Sequence, residues 1–270
     1  MPRRAGGMPP VRKRLGQHFL TDRGILGRIV DALAPEPNET VVEIGPGRGA
    51  LTDALRERAG RVVAIEVDRA LAAMLRERYA GDQRSRILEA DVLTVDLAQA
   101  ANGPFVLVGN VPYNITTPIL FHALKRPRPR RMVFMVQREV ADRMQARPGG
   151  REYGALTVNL QAVAAVRTCF AVPAGAFHPK PKVSSAVVEL VPLEVPRVQP
   201  GEEAPFREFV TAVFGMRRKQ MKRLIRGIIP ASREAAEEIL IGCGIDPESR
   251  PETLPVERLV ALFRTVRPPV

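Results

Sequence analysis

A chain of 270 residues is long enough for one large domain, or one large and one small, and too short for many. Its 45% hydrophobic and 26% charged residues supply a core and exclude wholesale disorder, while two cysteines and three scattered histidines exclude a disulfide framework and a four-ligand metal centre. The formal charge of +12, from 41 basic residues against 29 acidic ones, points to a polyanionic partner such as nucleic acid or an acidic membrane surface.

No run reaches the roughly 18 to 20 apolar residues needed to cross a bilayer, so a soluble protein of a reducing cytoplasm is expected. Residues 1–20 hold five Arg or Lys and no acid, as organelle transit peptides do. Pro2, Pro9, Pro10, Gly6 and Gly7 would break the amphipathic helix of such a peptide, which makes the segment a basic arm. Two further acid-free clusters are KRPRPRR (125–131), with five basic residues, and RRKQMKRLIR (217–226), with six. Outside the three clusters 25 basic residues face 29 acidic ones, so all of the net positive charge lies inside them.

From residue 39 to 137 short apolar runs alternate with helical patterns: TVVEIG (40–45), a helix near 49–59, RVVAIEV (61–67), a helix near 69–80, RILEAD (86–91), FVLVGN (105–110), a helix near 117–125 and MVFMVQ (132–137). That rhythm predicts an α/β fold, a parallel sheet covered by helices, and the continuous β-branched runs suit strands buried on both faces. A helix near 137–146, a helix and strand in GALTVNLQAVAAV and a strand at 183–191 follow. The Pro-rich stretch 192–205 reads as a linker. Beyond it, Phe206, Phe209, Val210, Val213 and Phe214 recur at helical spacing and run into the basic cluster; helices near 231–241 and in PVERLVALFRTV complete a small helical domain. The expected division is a basic arm (1–20), a sheet domain (21–195) and a helical domain (196–270).

Glu43-Ile44-Gly45-Pro46-Gly47-Arg48-Gly49 lies where the first predicted strand hands over to a helix, at the carboxyl edge of the sheet, where open α/β folds bind ligands. The spacing is G-x-G-x-G, not the G-x-G-x-x-G of dinucleotide sites, and the acid Glu43 repels a phosphate and suits a cationic ligand. Glu66 ends the next strand, where a carboxylate can accept both hydroxyl protons of a ribose; Asp91 ends the third and can accept from an adenine amino group; Asn110 ends the fourth. Together they describe a pocket for a nucleoside with a positive centre and no pyrophosphate, which is S-adenosylmethionine.

Asn110-Val111-Pro112-Tyr113 follows the fourth strand. The exocyclic amine of adenine is a poor nucleophile because its lone pair is delocalised into the ring. Acceptors on its two N–H groups, here the Asn110 side-chain oxygen and the Val111 carbonyl, draw the nitrogen toward a tetrahedral shape and aim the lone pair at a methyl group. Pro112 stiffens the turn and Tyr113 offers a ring to the base. In Phe177-His178-Pro179-Lys180-Pro181-Lys182 two prolines stiffen a loop with one ring and two cations, fit to stack on a flipped base and touch phosphates.

LGQHFL (15–20), VVEIGPGRGALT (41–52), IEVD (65–68), NVPYNITTPIL (110–120), VQREVADRM (136–144), REYGALTV (151–158), FHPKPKVSSAVVEL (177–190) and FGMRRKQMKRLI (214–225) together span nearly the whole chain. In them the sequence closely resembles the ribosomal small-subunit RNA adenine dimethyltransferases. The resemblance implies a Rossmann-like, S-adenosylmethionine-dependent fold and N6,N6-dimethylation of two adjacent adenines in a hairpin loop near the 3′ end of small-subunit rRNA, within a pre-ribosomal subunit. It further implies that His18 and Leu20 close over the cofactor, that Gly45, Gly47, Glu66, Asp91 and Asn110 bind it, and that Tyr113 and Phe177 flank the target base. Ser184 stands where the family often carries an acid, and Val111 where Leu is commoner, which leaves the backbone carbonyl in place. A monomer is expected. Two alternatives stay open: a large-subunit rRNA adenine methyltransferase of the antibiotic-resistance type, and a non-catalytic RNA-binding assembly or transcription factor.

Overall fold

The computed structural model describes residues 8–12 and 16–267. Half of the basic arm, with four of its five basic residues, lies outside them. In chain order the elements are β1 (Phe19–Leu20), α1 (Arg23–Leu33), β2 (Thr40–Ile44), α2 (Ala50–Arg56), β3 (Arg61–Glu66), α3 (Arg69–Arg78), β4 (Ser85–Glu89), α4 (Leu97–Ala101), β5 (Phe105–Asn110), α5 (Thr116–Ala123), β6 (Met132–Gln137), α6 (Arg138–Met144), α7 (Ala155–Gln161), β7 (Ala164–Val172), β8 (Phe177–His178), β9 (Ser185–Pro192), α8 (Glu203–Gly215), α9 (Met221–Ile225), α10 (Arg233–Gly242) and α11 (Val256–Val266).

The seven-stranded sheet has the order β4-β3-β2-β5-β6-β9-β7. Strands β4 to β6 along that order pair in parallel and β9 runs antiparallel to β6. The α/β, Rossmann-like expectation is therefore met. Chain order reverses direction at β2, which has β3 on one side and β5 on the other. The loops after β2 and β5 leave the sheet to opposite sides there and open a crevice at the carboxyl ends of the strands. Gly45 and Asn110 stand at that point.

The apolar runs are continuous because both faces of the sheet are covered. On one face Val41, Val62, Val106, Val108 and Val133 pack with Ile25, Ile29 and Leu33 of α1 and Leu55 of α2. The alternate residues Val42, Val63 and Leu107 point the other way and are fully buried too. Helix α1 was not expected. Its buried Ile25, Leu26, Ile29, Val30 and Leu33 fall on one helical stripe and Asp22 caps it, accepting from the Ile25 N–H, but Gly24 and Gly27 blur the pattern.

The chain forms two compact units, one holding residues up to Arg138 with Arg167–Val191, the other Glu139–Val166 and the chain from Pro192 on. This differs from a single boundary at 195/196. Residues 139–166 join the helical unit because α7 packs on α8 and because Tyr153, fully buried, donates its hydroxyl to the Leu254 carbonyl at 2.8 Å and meets Phe214 edge-on. Phe206, Phe209 and Phe263 form the aromatic centre of that unit. The basic run 217–226 is not the second half of the Phe-bearing helix: α8 stops at Gly215, a turn follows, and the run ends in the five-residue α9.

Candidate functional site

A cavity of about 330 Å³ opens at the crevice between β2 and β5. It collects His18, Leu20, Gly45, Gly47, Glu66, Asp91, Asn110 and Tyr113, so all but one of the expected site residues line a single space. The exception is Phe177. It is 5% exposed and packs in the core beside Leu20, Leu26 and Ile29. Its backbone partner explains this: β1 and β8 pair antiparallel with Leu20 opposite Phe177, which turns the ring inward and leaves His178 exposed. The ring that meets Tyr113 is that of His18, stacked with centroids 5.9 Å apart and planes at 24°.

Backbone geometry makes the glycine turn. Gly45 and Gly47 have φ of +66° and +57°, a region that costs an L side chain roughly 1–2 kcal/mol. At Gly47 a Cβ would also lie 2.9 Å from the Phe19 ring. The Gly47 N–H donates to Glu66 Oε2 at 3.0 Å, and the Asp68 N–H donates to Oε1 at 2.9 Å. Glu66 is thereby pinned at the end of β3 with a lone pair on each oxygen to spare for two hydroxyls. Asp91 sits just past β4, exposed, its Oδ1 accepting from the Leu93 N–H at 3.0 Å.

At the end of β5 the Asn110 amide donates from Nδ2 to the His18 carbonyl at 2.8 Å. A carbonyl only accepts, so this bond fixes which end of the amide is which, and Oδ1 is the end left to accept. His18 is itself held, its ring Nδ1 lying 2.7 Å from the Pro179 carbonyl, so that nitrogen carries the proton. Tyr113 bonds through its hydroxyl to Ser185 Oγ at 2.8 Å, and burial raises its pKa. Ser185, Gln17 and Asp68 were not anticipated; each acts through a partner far away in sequence.

Glu43 is 1% exposed and lines the cavity; burial pushes its carboxyl up to about 8, against the opposing hydrogen bond from Thr52 Oγ1 at 2.6 Å. Burial raises Glu66 too. A carboxyl whose folded pKa lies above its unfolded value stabilises most below the unfolded pKa, and that contribution is lost as pH rises to the folded one. Between about pH 4.5 and 8 Glu43 alone should therefore lower stability by up to about 1.4 kcal/mol per pH unit. Urea unfolding across this range should show a shallower decline in Glu43→Gln than in the wild type; parallel curves would contradict the assignment.

Among the described residues the lining carries three acids, Glu43, Glu66 and Asp91, and one guanidinium, that of Arg48, which lies over the Phe19 ring at 4.5 Å. Burial keeps Glu43 mainly protonated at neutral pH, so it does not bring the negative charge expected of it from sequence; Glu66 and Asp91 are the acceptors left to suit a nucleoside with a positive centre. The basic clusters are only partly surface charge. Arg130, though exposed, binds Glu39 at 2.7 and 2.9 Å and the partly buried Arg131 lies 3.3 Å from Glu189; Lys125, Arg218, Lys219, Arg223 and Arg226 are exposed too. Among the described residues no helix is long and apolar enough to cross a membrane.

Comparison with known proteins agrees with this geometry. The family model for ribosomal RNA adenine dimethylase matches residues 9–267. The chain is 42% identical to the ribosomal RNA small subunit methyltransferase A of Geobacter metallireducens over 95% of each chain. It is 46% identical to the protein of that name from Xanthomonas campestris pv. campestris, over 94% of this chain and 95% of the relative. Among solved structures, a dimethyladenosine transferase from Plasmodium falciparum superposes with a TM-score of 0.78 at 26% identity, covering 91% of this chain and 96% of its own. The 23S rRNA methyltransferase ErmE superposes with a TM-score of 0.73 at 28% identity, covering 92% and 99%. With the match running from the arm to the last helix, and the glycine turn, strand-tip acids and Asn-Val-Pro-Tyr turn gathered at one cavity, the chain belongs to the ribosomal RNA adenine dimethylase family.

Proposed function

We propose that this protein is an S-adenosylmethionine-dependent rRNA methyltransferase that dimethylates the N6 amine of two adjacent adenines in a hairpin loop near the 3′ end of small-subunit rRNA, during ribosome biogenesis. The carrying observation is the Asn110 amide, held by the His18 carbonyl so that its oxygen is presented as an acceptor. Bound S-adenosylmethionine supplies a methyl group activated by its sulfonium. The chain's own residues do the rest. Glu66 accepts from the ribose hydroxyls, Asp91 from the adenine amine of the cofactor, and the turn at Gly45 and Gly47 lets its backbone come close. His18 and Leu20 cover it.

Asn110 Oδ1 and the Val111 carbonyl accept from the target N6 and shape its lone pair, while Tyr113 stacks on the base. No side-chain base of high pKa is needed, because the methylated amine is acidic and gives its proton to water. The second ring assigned to Phe177 would require that side chain to leave the core, and His18 already stands opposite Tyr113. An unpaired loop adenine is cheaper to flip than a paired one, and the exposed cations of 125–126 and 218–226 suit the surrounding RNA phosphates. We place the protein in the cytoplasm as a monomer acting on a pre-ribosomal subunit.

Small-subunit specificity rests on the relatives at 42–46% identity; the likeness to a 23S rRNA enzyme keeps the large subunit as the competing substrate. Unmodified small and large subunits, incubated separately with the protein and methyl-labelled S-adenosylmethionine, separate the two. Label is expected in small-subunit rRNA. Label in large-subunit rRNA alone would overturn the assignment, and binding without transfer would favour a non-catalytic role.

A further inference from the structure

The segment ahead of β1 lies against the cavity, with Gly16 to Leu20 among its lining residues. Besides the bonds of His18 to Pro179 and Asn110, two of the segment's polar side chains, Gln17 and Arg12, meet at one buried side chain, Asp68, which is 1% exposed. Gln17 Nε2 donates to Asp68 Oδ2 at 3.0 Å, and Arg12 Nε stands 3.3 Å from the same oxygen. The two anchors are tied together, since the Arg12 N–H donates to Gln17 Oε1 at 2.8 Å. Asp68 Oδ1 meanwhile caps α3, accepting from the Ala70 N–H at 3.0 Å. Its backbone N–H holds Glu66 Oε1.

One residue thus faces three ways: to the strap, to a helix start, and to the carboxylate read here as the ribose acceptor. A carboxylate this buried is expensive to leave without partners, so the strap is drawn to it. The consequence reaches the reacting end of the site, because the residue after Gln17 is His18, whose carbonyl orients Asn110. We propose that Asp68, Gln17 and Arg12 form a latch that holds the strap over the cofactor and, through the His18 carbonyl, keeps the Asn110 oxygen aimed at the target amine. Asp68 is then a positioning residue that links ribose recognition to the geometry of methyl transfer. The proposal rests on the functional reading above.

Two measurements on the full-length protein test it. Amide hydrogen exchange in residues 16–20 does not depend on the reaction, and it should quicken in Gln17→Ala and in the Arg12→Ala, Gln17→Ala double variant; exchange equal to wild type would overturn the latch whatever the protein methylates. In methyl transfer to small subunits, the double variant should raise KM for S-adenosylmethionine and lower kcat, each about tenfold. Adding Asp68→Asn to it should cost little more, because the three groups act as one unit. Unchanged kinetics, or penalties that simply multiply, would overturn the coupling to Asn110, as would a lowered Tm with KM and kcat intact. A wild type that neither binds S-adenosylhomocysteine nor transfers methyl groups would instead sink the functional reading, with the exchange result standing apart from it.

Discussion

Asn110→Ala should lower kcat by about 10²–10³-fold, the scale of losing one preorganised polar contact to a reacting group. The variant removes the acceptor for the target N6–H and also the donor that satisfies the His18 carbonyl at 2.8 Å. Asn110→Asp separates these effects. It keeps an acceptor of the same shape but sets a carboxylate oxygen against the carbonyl, where nothing donates, so it should stay far below the wild type. Steady-state kinetics with small subunits decide, with S-adenosylhomocysteine binding as the control that the cavity survives. An Asn110→Asp enzyme at wild-type rate would show that the amide's donor end is irrelevant.

Glu66→Gln should weaken cofactor binding about 10–100-fold, although the two side chains are nearly the same size. Both carboxylate oxygens accept from backbone N–H groups, of Gly47 and of Asp68. A glutamine has one oxygen to offer, so its NH₂ end must face one of those donors. The donor left unpaired in a 5% exposed position costs about 1–3 kcal/mol. The turn around Gly47 is then loosened, and one ribose hydroxyl loses its acceptor. Calorimetric titration with S-adenosylhomocysteine measures the loss; affinity within twofold of wild type would show that Glu66 is not the ribose ligand.

These residues were legible from sequence because their positions follow from local rules. A strand buried on both faces is a continuous apolar run, and the polar residue at its end marks the strand tip, which is how Glu66 and Asn110 could be placed at one edge of a sheet; Asp91 follows the partly exposed edge strand β4 by two residues. What local pattern could not reveal is pairing across long separations. Gln17 and Asp68 stand 51 residues apart, and Tyr113 and Ser185 72 apart. The two-residue strands β1 and β8 carry no periodicity, yet their register puts Phe177 in the core and His18 beside Tyr113.

Charge was legible as a sum and less so as a surface. Arg130 and Arg131 counted toward a basic cluster, but their guanidinium groups brace Glu39 and Glu189. The division of the molecule was obscured for a related reason. Residues 139–166 precede the Pro-rich stretch in sequence, and only the packing of Tyr153 and α7 assigns them to the helical unit.

Whether the Asn110 turn presents adenine N6 for methyl transfer is decided by nucleoside mass spectrometry of small-subunit rRNA after reaction with the wild type and with Asn110→Ala. N6,N6-dimethyladenosine is expected at two adjacent loop adenines with the wild type, and next to none with the variant. Methyl groups on another base or another adenine atom, or undiminished dimethyladenosine from Asn110→Ala, would contradict that role of the turn.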